Sequence, residues 1–326
     1  MISGLPPAQT TSKKILVVQY SQTGQLQAVA DELLAPLRAD SRFEIHTETL
    51  APLKPFPFPW PFFRFFDAFP ESAHMVPPPL KPLSLTGDER FDLVILPYQV
   101  WFLAPSQPVT AFLKDPAVRR VLHGTPVVTL IACRNMWLLA QEKLKSLLAD
   151  AGARLIDNVV LTDPGPTLAT FITTPRWLLS GRKGPIWGMS AAGLNEGQIR
   201  GARRFGLALR DALAADRERG TAPLLAGLGA VQVDPKLYAS EKAGSRSFYL
   251  WGHLLRAAGA PGSWQRVPLL ALYVTFLVTA IIAVVPLSLA VQALLRPFMG
   301  RWLADIQQRF EQPSGSSTER CALYDQ

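Results

Sequence analysis

Three short apolar runs constrain this chain more than any other feature. Residues 14–20 (KILVVQY), 91–97 (FDLVILP) and 125–132 (TPVVTLIA) read as buried strands. Residues 42–49 (RFEIHTET) alternate as a strand, and 154–163 (RLIDNVVLTD) supply a fifth. Helical spacing fills the gaps between them. Leu26, Val29, Leu33, Leu34 and Leu37 share one helix face. Residues 107–121 read as a helix interrupted at Pro116, and 136–150 as another. Ile199, Ala202, Phe205, Leu209 and Leu213 carry a helical period through 195–215. Strands that alternate with helices need crossover connections, and these are right-handed. The expected fold is α/β, a doubly wound five-stranded parallel sheet with helices on both faces.

The C-terminal third reads differently. No charged residue occurs from Val267 to Leu295, and about 20 apolar residues cross a bilayer core. Trp264 stands before this run, and Phe298 and Trp302 stand after it, as in an aromatic belt. The competing reading is a buried core helix. Pro286 allows either a tilted span or a shorter span followed by an interfacial helix over 287–310. Mean hydropathy is +0.15, which fits a soluble domain with one membrane element. Apolar residues make up 48% and charged residues 18%, which excludes a disordered chain. Residues 236–266 carry five basic residues against Glu241, while basic and acidic residues balance over 296–326. The basic flank stays cytoplasmic. The expected location is therefore the cytoplasmic face of the inner membrane, single-pass or monotopic.

The expected organisation is a flexible N-terminus over 1–12 and an α/β domain over 13–218 with inserts at 52–86 and 165–190. A connecting helical region follows over 219–265, with a helix near 245–258, then transmembrane or interfacial helices over 266–310 and a disordered tail over 311–326. The opening MISGLPPAQTTSKK has no apolar run before its lysines, so it does not read as a signal peptide. The formal charge of +8 suits a membrane surface. The aromatics do not interleave with Lys and Arg as a nucleic-acid platform requires. The two cysteines, Cys133 and Cys321, and four scattered histidines give no metal-binding spacing.

The first strand–helix turn reads Ser21-Gln22-Thr23-Gly24-Gln25-Leu26. Hydroxyls and a glycine at a helix N-terminus suit a phosphate held by neutral donors. The spacing of a nucleoside-triphosphate loop is absent. The loop resembles the phosphate loop of flavodoxins, which implies FMN. Leu26 stands where that pattern has a hydroxyl, so one donor is missing. A plain strand–helix turn is the alternative. The segment after the next buried strand, Tyr98-Gln99-Val100-Trp101-Phe102, and Cys133-Arg134-Asn135-Met136 after the following one, fall at the carboxyl ends of parallel strands. In a flavodoxin-like domain these positions flank the isoalloxazine ring, with Tyr98, Trp101 and Phe102 placed to stack. Tyr98 is also the candidate acid/base, with packing as its alternative.

Alternating prolines in PFPFPWP at 55–61 enforce extended backbone. Phe62, Phe65, Phe66 and Phe69 follow at the spacing of one helix face, either as a cover for the sheet or as an apolar lid for substrate. Trp137 joins this substrate set. The stretch 167–188, with Phe171, Trp177, Trp187 and three basic residues, reads as a membrane-surface loop or simply a long loop.

The blocks YSQTGQL, PFPFPWPFFRFFDAFPES, YQVWFLAPSQPVTAFLK, IACRNMWLLAQE, IDNVVLTD and TFITTPRWLLSG resemble proteins of the dialkylresorcinol condensing enzyme family across nearly the whole chain. The resemblance implies a step in making dialkylresorcinol-type lipids beside a ketosynthase or acyl carrier protein. Condensation itself needs a reactive Cys with a nearby His, which this sequence does not offer. A flavin suits aromatisation of a dialkyl-cyclohexanedione, which removes two hydrogens. An NAD(P)H:quinone reductase and a flavin-free membrane scaffold are the competing expectations.

Overall fold

The computed structural model describes residues 12–295 and 299–324, so nearly all of the expected flexible N-terminus, and Phe298, lie outside the described residues. Strand β1 (Lys13–Gln19) leads to helix α1 (Gln25–Arg38) and strand β2 (Phe43–Thr49). The aromatic insert then holds two short helices, α2 (Phe62–Asp67) and α3 (Phe69–Ala73). Strand β3 (Leu93–Tyr98) is followed by a small ribbon of β4 (Val100–Trp101) and β5 (Ala104–Pro105). Next come α4 (Gln107–Lys114), α5 (Pro116–Leu122), β6 (Pro126–Cys133), α6 (Leu138–Asp150) and β7 (Arg154–Thr162). The chain continues through α7 (Thr167–Ser180), α8 (Glu196–Gly201) and α9 (Arg203–Ala214). The last helices are α10 (Leu237–Ala258), α11 (Val267–Leu295) and α12 (Gly300–Glu311).

The five main strands lie in the order β2-β1-β3-β6-β7, and every pairing is parallel. The core strands β1, β3 and β6 are buried along most of their length because helices cover both faces. This is why they read as continuous apolar runs. The break at Pro116 is a helix start: Asp115 accepts from the N–H groups of Ala117 and Val118 at 2.8 and 3.2 Å, and proline suits the first helical turn. The period through 195–215 divides at Ala202 into α8 and α9, and Asn195 and Gln198 form a capping box at the start of α8. Gly206 lets α9 approach α1 closely, since a Cβ there would stand 1.9 Å from the Leu33 carbonyl oxygen.

Three expectations are corrected. The stretch 165–190 is built around the helix α7, not a loop. Helix α10 begins at Leu237, well before 245. Residues 311–324 are not a disordered tail. Gly229 N–H donates to Ser317, Arg320 donates to the carbonyls of Leu224 and Ala226, and Ser314 is buried. The physical reason is Asp157, a fully buried carboxylate on β7. It accepts from the Leu224 and Leu225 N–H groups and from the Ser314 hydroxyl at 2.7, 3.1 and 2.7 Å. A polar-looking tail is thereby tied to β7, the edge strand of the sheet. Helix α11 runs on through Pro286 as one element, and its window 264–283 is long and apolar enough to cross a membrane.

Candidate functional site

The sheet order fixes where a site can form. Counting only the five main strands, it is the 2-1-3-4-5 order of flavodoxin-like sheets, and the direction in which successive strands are added reverses between β1 and β3. Loops after those two strands therefore diverge and leave a crevice at their carboxyl ends. They also meet across it. Tyr20 and Trp101 pack edge to face at 6.1 Å, and the Gln99 side-chain amide donates to the Tyr20 carbonyl.

The loop 20–25 joins β1 to α1 as a tight turn. Gly24 caps α1 with φ +81°, a conformation that favours glycine, and open space lies where its Cβ would be. Gly24 has no side chain with which to cap this helix end. Ser21 and Thr23 accept from the N–H groups of Gly24 and Gln25 at 3.1 and 3.4 Å, which leaves both hydroxyl protons to donate outward. Leu26 points into the core. Gln22 and Gln25 are spent on neighbours: Gln22 donates to the Pro57 carbonyl at 2.7 Å, and Gln25 accepts from Leu194 N–H at 2.8 Å. The first bond brings the aromatic insert to the loop, and the second brings the segment that follows the second insert. Trp60 N–H donates to the Leu178 carbonyl, and Phe58 packs on Trp177, so the inserts also hold each other.

The β4–β5 ribbon turns at Phe102 and Leu103, which have φ of 50° and 59°. Bulky side chains rarely adopt this backbone, and each such residue costs on the order of 1–3 kcal/mol. Packing offsets the cost: Phe102 lies 5.2, 5.9 and 5.8 Å from Phe65, Phe69 and Phe248. Val100 packs against the main core beside this turn. Met136, in the third loop, is strained in the same way with φ 57°. Cys133 ends β6, and burial pushes its thiol well above the usual range, so it is not a ready thiolate. Arg134 stacks on Phe171 at 4.2 Å, and burial lowers its pKa. Asn135 bonds the Met136 N–H and shapes the turn.

Two candidate residues belong to the core. Tyr98 has no exposed surface, and its hydroxyl donates to Gln141 at 2.6 Å. Gln141 donates in turn to Thr129, and Thr129 to Asn158. Burial raises the Tyr98 pKa, which further disfavours acid/base work. Trp137 is likewise buried and packs edge to face on Phe310 of α12 at 6.5 Å. Strand ends and helix starts look alike in sequence whether the side chain faces the crevice or the sheet.

The four phenylalanines do not form one wall. Phe62 is exposed on α2, Phe65 lies against Trp60, Phe66 is half-buried, and Phe69 is buried on α3 against Tyr273 of α11 at 4.2 Å. The insert thus bridges crevice and apolar helix. Tyr20, Trp101, Trp60, Phe65, Phe102, Phe69, Tyr273, Trp251 and Phe276 follow one another with ring centroids 4.2–6.1 Å apart at every step.

Glu241 was not legible as a site neighbour. From α10 its carboxylate accepts from the Leu138 and Leu139 N–H groups at 3.2 and 2.8 Å and so caps α6 beside the third loop. Burial raises its pKa to about 7, against the pull of those two N–H groups. Asp163 is similar: it accepts from Gly165 and Gly193 and donates its own N–H to the Cys133 carbonyl. The turn residues of DPGP at 163–166 were its one sequence signal.

Strand order and flanking helices make the chain a flavodoxin-like doubly wound α/β protein with one apolar C-terminal helix. No protein-family model matches it, and no curated protein matches its sequence. Among solved structures it is similar to a flavoprotein in complex with FMN from Lactobacillus acidophilus, at 13% identity over 46% of this chain and 93% of that one, with a TM-score of 0.36. It is also similar to a flavodoxin from the domain Archaea, at 9% identity over 62% of this chain and 99% of that one, with a TM-score of 0.33. The fold assignment rests on its own strand order.

Proposed function

We propose that the chain is a membrane-associated, FMN-dependent oxidoreductase that aromatises a lipid-like dialkyl-cyclohexanedione to a dialkylresorcinol. The observation that carries this reading is the unbroken series of aromatic rings from Tyr20, at the crevice, to Phe276, on the apolar helix. A water-soluble substrate has no use for such a route. A substrate with alkyl arms gains about 0.8 kcal/mol for each buried CH₂ along it.

The donor set of the first loop fits the FMN phosphate: the Ser21 and Thr23 hydroxyls, with the backbone N–H groups of the first turn of α1 beyond Gln25. Val100, Trp101 and the third loop would flank the ring system. When bound, FMN supplies a hydride acceptor for the two-hydrogen oxidation that aromatises the ring. The protein's part is to hold the dione in the crevice, to keep water out with Trp60, Phe65 and Trp101, and to take one proton from a ring carbon. The proton acceptor is not Tyr98, whose hydroxyl is committed to Gln141. A ketosynthase or carrier protein would supply the substrate, as the sequence resemblance implies.

The absorption spectrum of the detergent-purified full chain tests the reading. The expected result is a bound flavin that heat releases as FMN. A colourless, folded protein that ignores added FMN would overturn it in favour of a scaffold. Rapid flavin reduction by NAD(P)H, with turnover of quinones and none of diones, would make the protein a quinone reductase.

A further inference from the structure

The apolar helix leaves and rejoins the same domain. Just before it, Arg266 is buried and bonds Glu71 at 2.7 and 3.2 Å, Asp67 at 3.2 Å and the Gly259 carbonyl at 2.8 Å. Leu270 and Tyr273 then bury against Phe69 and Leu255. This start of α11 lies near the C-terminal end of α10, where Trp251 meets Tyr273 and Phe276 at 5.6 and 5.4 Å. After α11 the chain returns at the opposite end of α10. Trp302 and Phe310 pack on Tyr238 at 6.1 and 5.5 Å, and Arg309 pairs with Glu142. Ser314 then reaches Asp157 within the sheet.

Chain reach decides what this permits. At 1.5 Å per residue α11 is about 43 Å long, and the hydrocarbon core is about 30 Å thick. A full crossing would carry residue 295 to the far side. From there to Trp302 the backbone extends at most about 25 Å, and less because α12 is already helical from Gly300. Trp302 could not then touch Tyr238. Crossing and the docking of α12 are mutually exclusive. Helix α10 is about 33 Å long, so α11 has to run back beside it.

The hairpin is nevertheless built for lipid. The window 264–283 has a mean hydropathy of 2.0 and only 17% of it is buried. Leu272, Phe276 and Ile282 are exposed on α11, with Leu250 and Leu254 exposed on α10 and Trp264 at the turn. An apolar surface of this kind marks an interaction site. Cations stand beside the turn: Lys54, Arg64 and Arg256 line an adjoining cavity of about 580 Å³, whose carboxylates, Asp67 and Glu71, are taken up by Arg266 and Arg256. Lys54 and Arg64 have no acidic partner among the described residues.

We propose that the α10–α11 hairpin seats in a single leaflet of a bilayer containing anionic lipid, with both its flanks on the side that holds the α/β domain. This rests on reading α11 as a membrane element, and the test separates the two. The full chain is mixed with phosphatidylcholine vesicles and with vesicles that are an equal mixture of phosphatidylcholine and phosphatidylglycerol. Cosedimentation is expected to be stronger with phosphatidylglycerol, and a Lys54→Glu/Arg64→Glu double variant should weaken that binding at least about tenfold. In sealed membrane vesicles from expressing cells, a membrane-impermeant maleimide should label Ser316→Cys and Ala214→Cys from the same side; both positions are exposed. Protection of Ser316→Cys where Ala214→Cys reacts would mean a crossing and overturn the single-leaflet proposal while leaving the membrane reading intact. No dependence on phosphatidylglycerol, or none on Lys54 and Arg64, would overturn the anionic preference. A chain that binds neither kind of vesicle overturns both the proposal and the membrane reading.

Discussion

Asp157→Asn offers the sharpest test of how the C-terminal segment is held. The carboxylate is buried on the edge strand β7, and burial raises its pKa from 3.8 to about 6 against the pull of three donors. A carboxyl whose folded pKa is raised binds protons more readily when folded. Its contribution to stability is therefore greatest below the unfolded value and is lost as pH rises through the folded one. At about 1.4 kcal/mol per pH unit, the wild-type chain loses roughly 2.5 kcal/mol from this group between about pH 4 and pH 8. Asparagine cannot ionise, so the variant loses nothing over the same range. It does give up one acceptor and faces an amide toward a backbone N–H, which costs about 1–3 kcal/mol at any pH. The variant should be clearly less stable than wild type at about pH 4 and near parity or better at about pH 8. Urea unfolding of both proteins in mild detergent, followed by tryptophan fluorescence at the two pH values, gives the difference directly. Other titrating groups are common to both chains and cancel. A stability difference that does not change with pH would refute the assignment of a buried, proton-linked carboxylate.

Three further outcomes follow from the geometry. Thr23→Ala removes a phosphate donor and should weaken FMN binding by ~1–2 kcal/mol, about tenfold in Kd by flavin fluorescence titration. An unchanged Kd would move the phosphate elsewhere. Gly206→Ala forces a Cβ against the Leu33 carbonyl and should destabilise the domain by about 1–3 kcal/mol or more in chemical denaturation, and a neutral result would mean α1 and α9 can part freely. Replacing Phe65 and Phe66 together by Ser should reduce turnover of long-chain diones far more than of short-chain ones in a protein that keeps its flavin; an equal loss at every chain length would make these rings mere packing.

Much of this protein is written locally, and local patterns were enough to find it. The runs at 14–20, 91–97 and 125–132 are strands because only apolar side chains survive between two helical layers, and that requirement acts on consecutive residues. The helix break at Pro116 and the uncharged run of α11 are equally local, as is the Ser-Gln-Thr-Gly turn that begins α1. Side-chain direction at the strand ends is not local. Tyr98 and Trp101 are near neighbours in sequence, yet one is sealed under Gln141 and the other packs on Tyr20 and Trp60, because Tyr98 ends β3 within the sheet and Trp101 already belongs to the β4–β5 ribbon that leaves it. Glu241 and Asp163 become neighbours of the site only through contacts between distant elements. The tail shows the limit most clearly. Residues 311–324 have the composition of a solvated end, and one buried carboxylate on a distant strand, with one serine hydroxyl, fixes them to the sheet. Sequence set the apolarity of α11, but whether its two ends share a side of a membrane depends on Trp302, Phe310 and Ser314 finding partners far away in the chain. Only the folded structure brings those partners within reach.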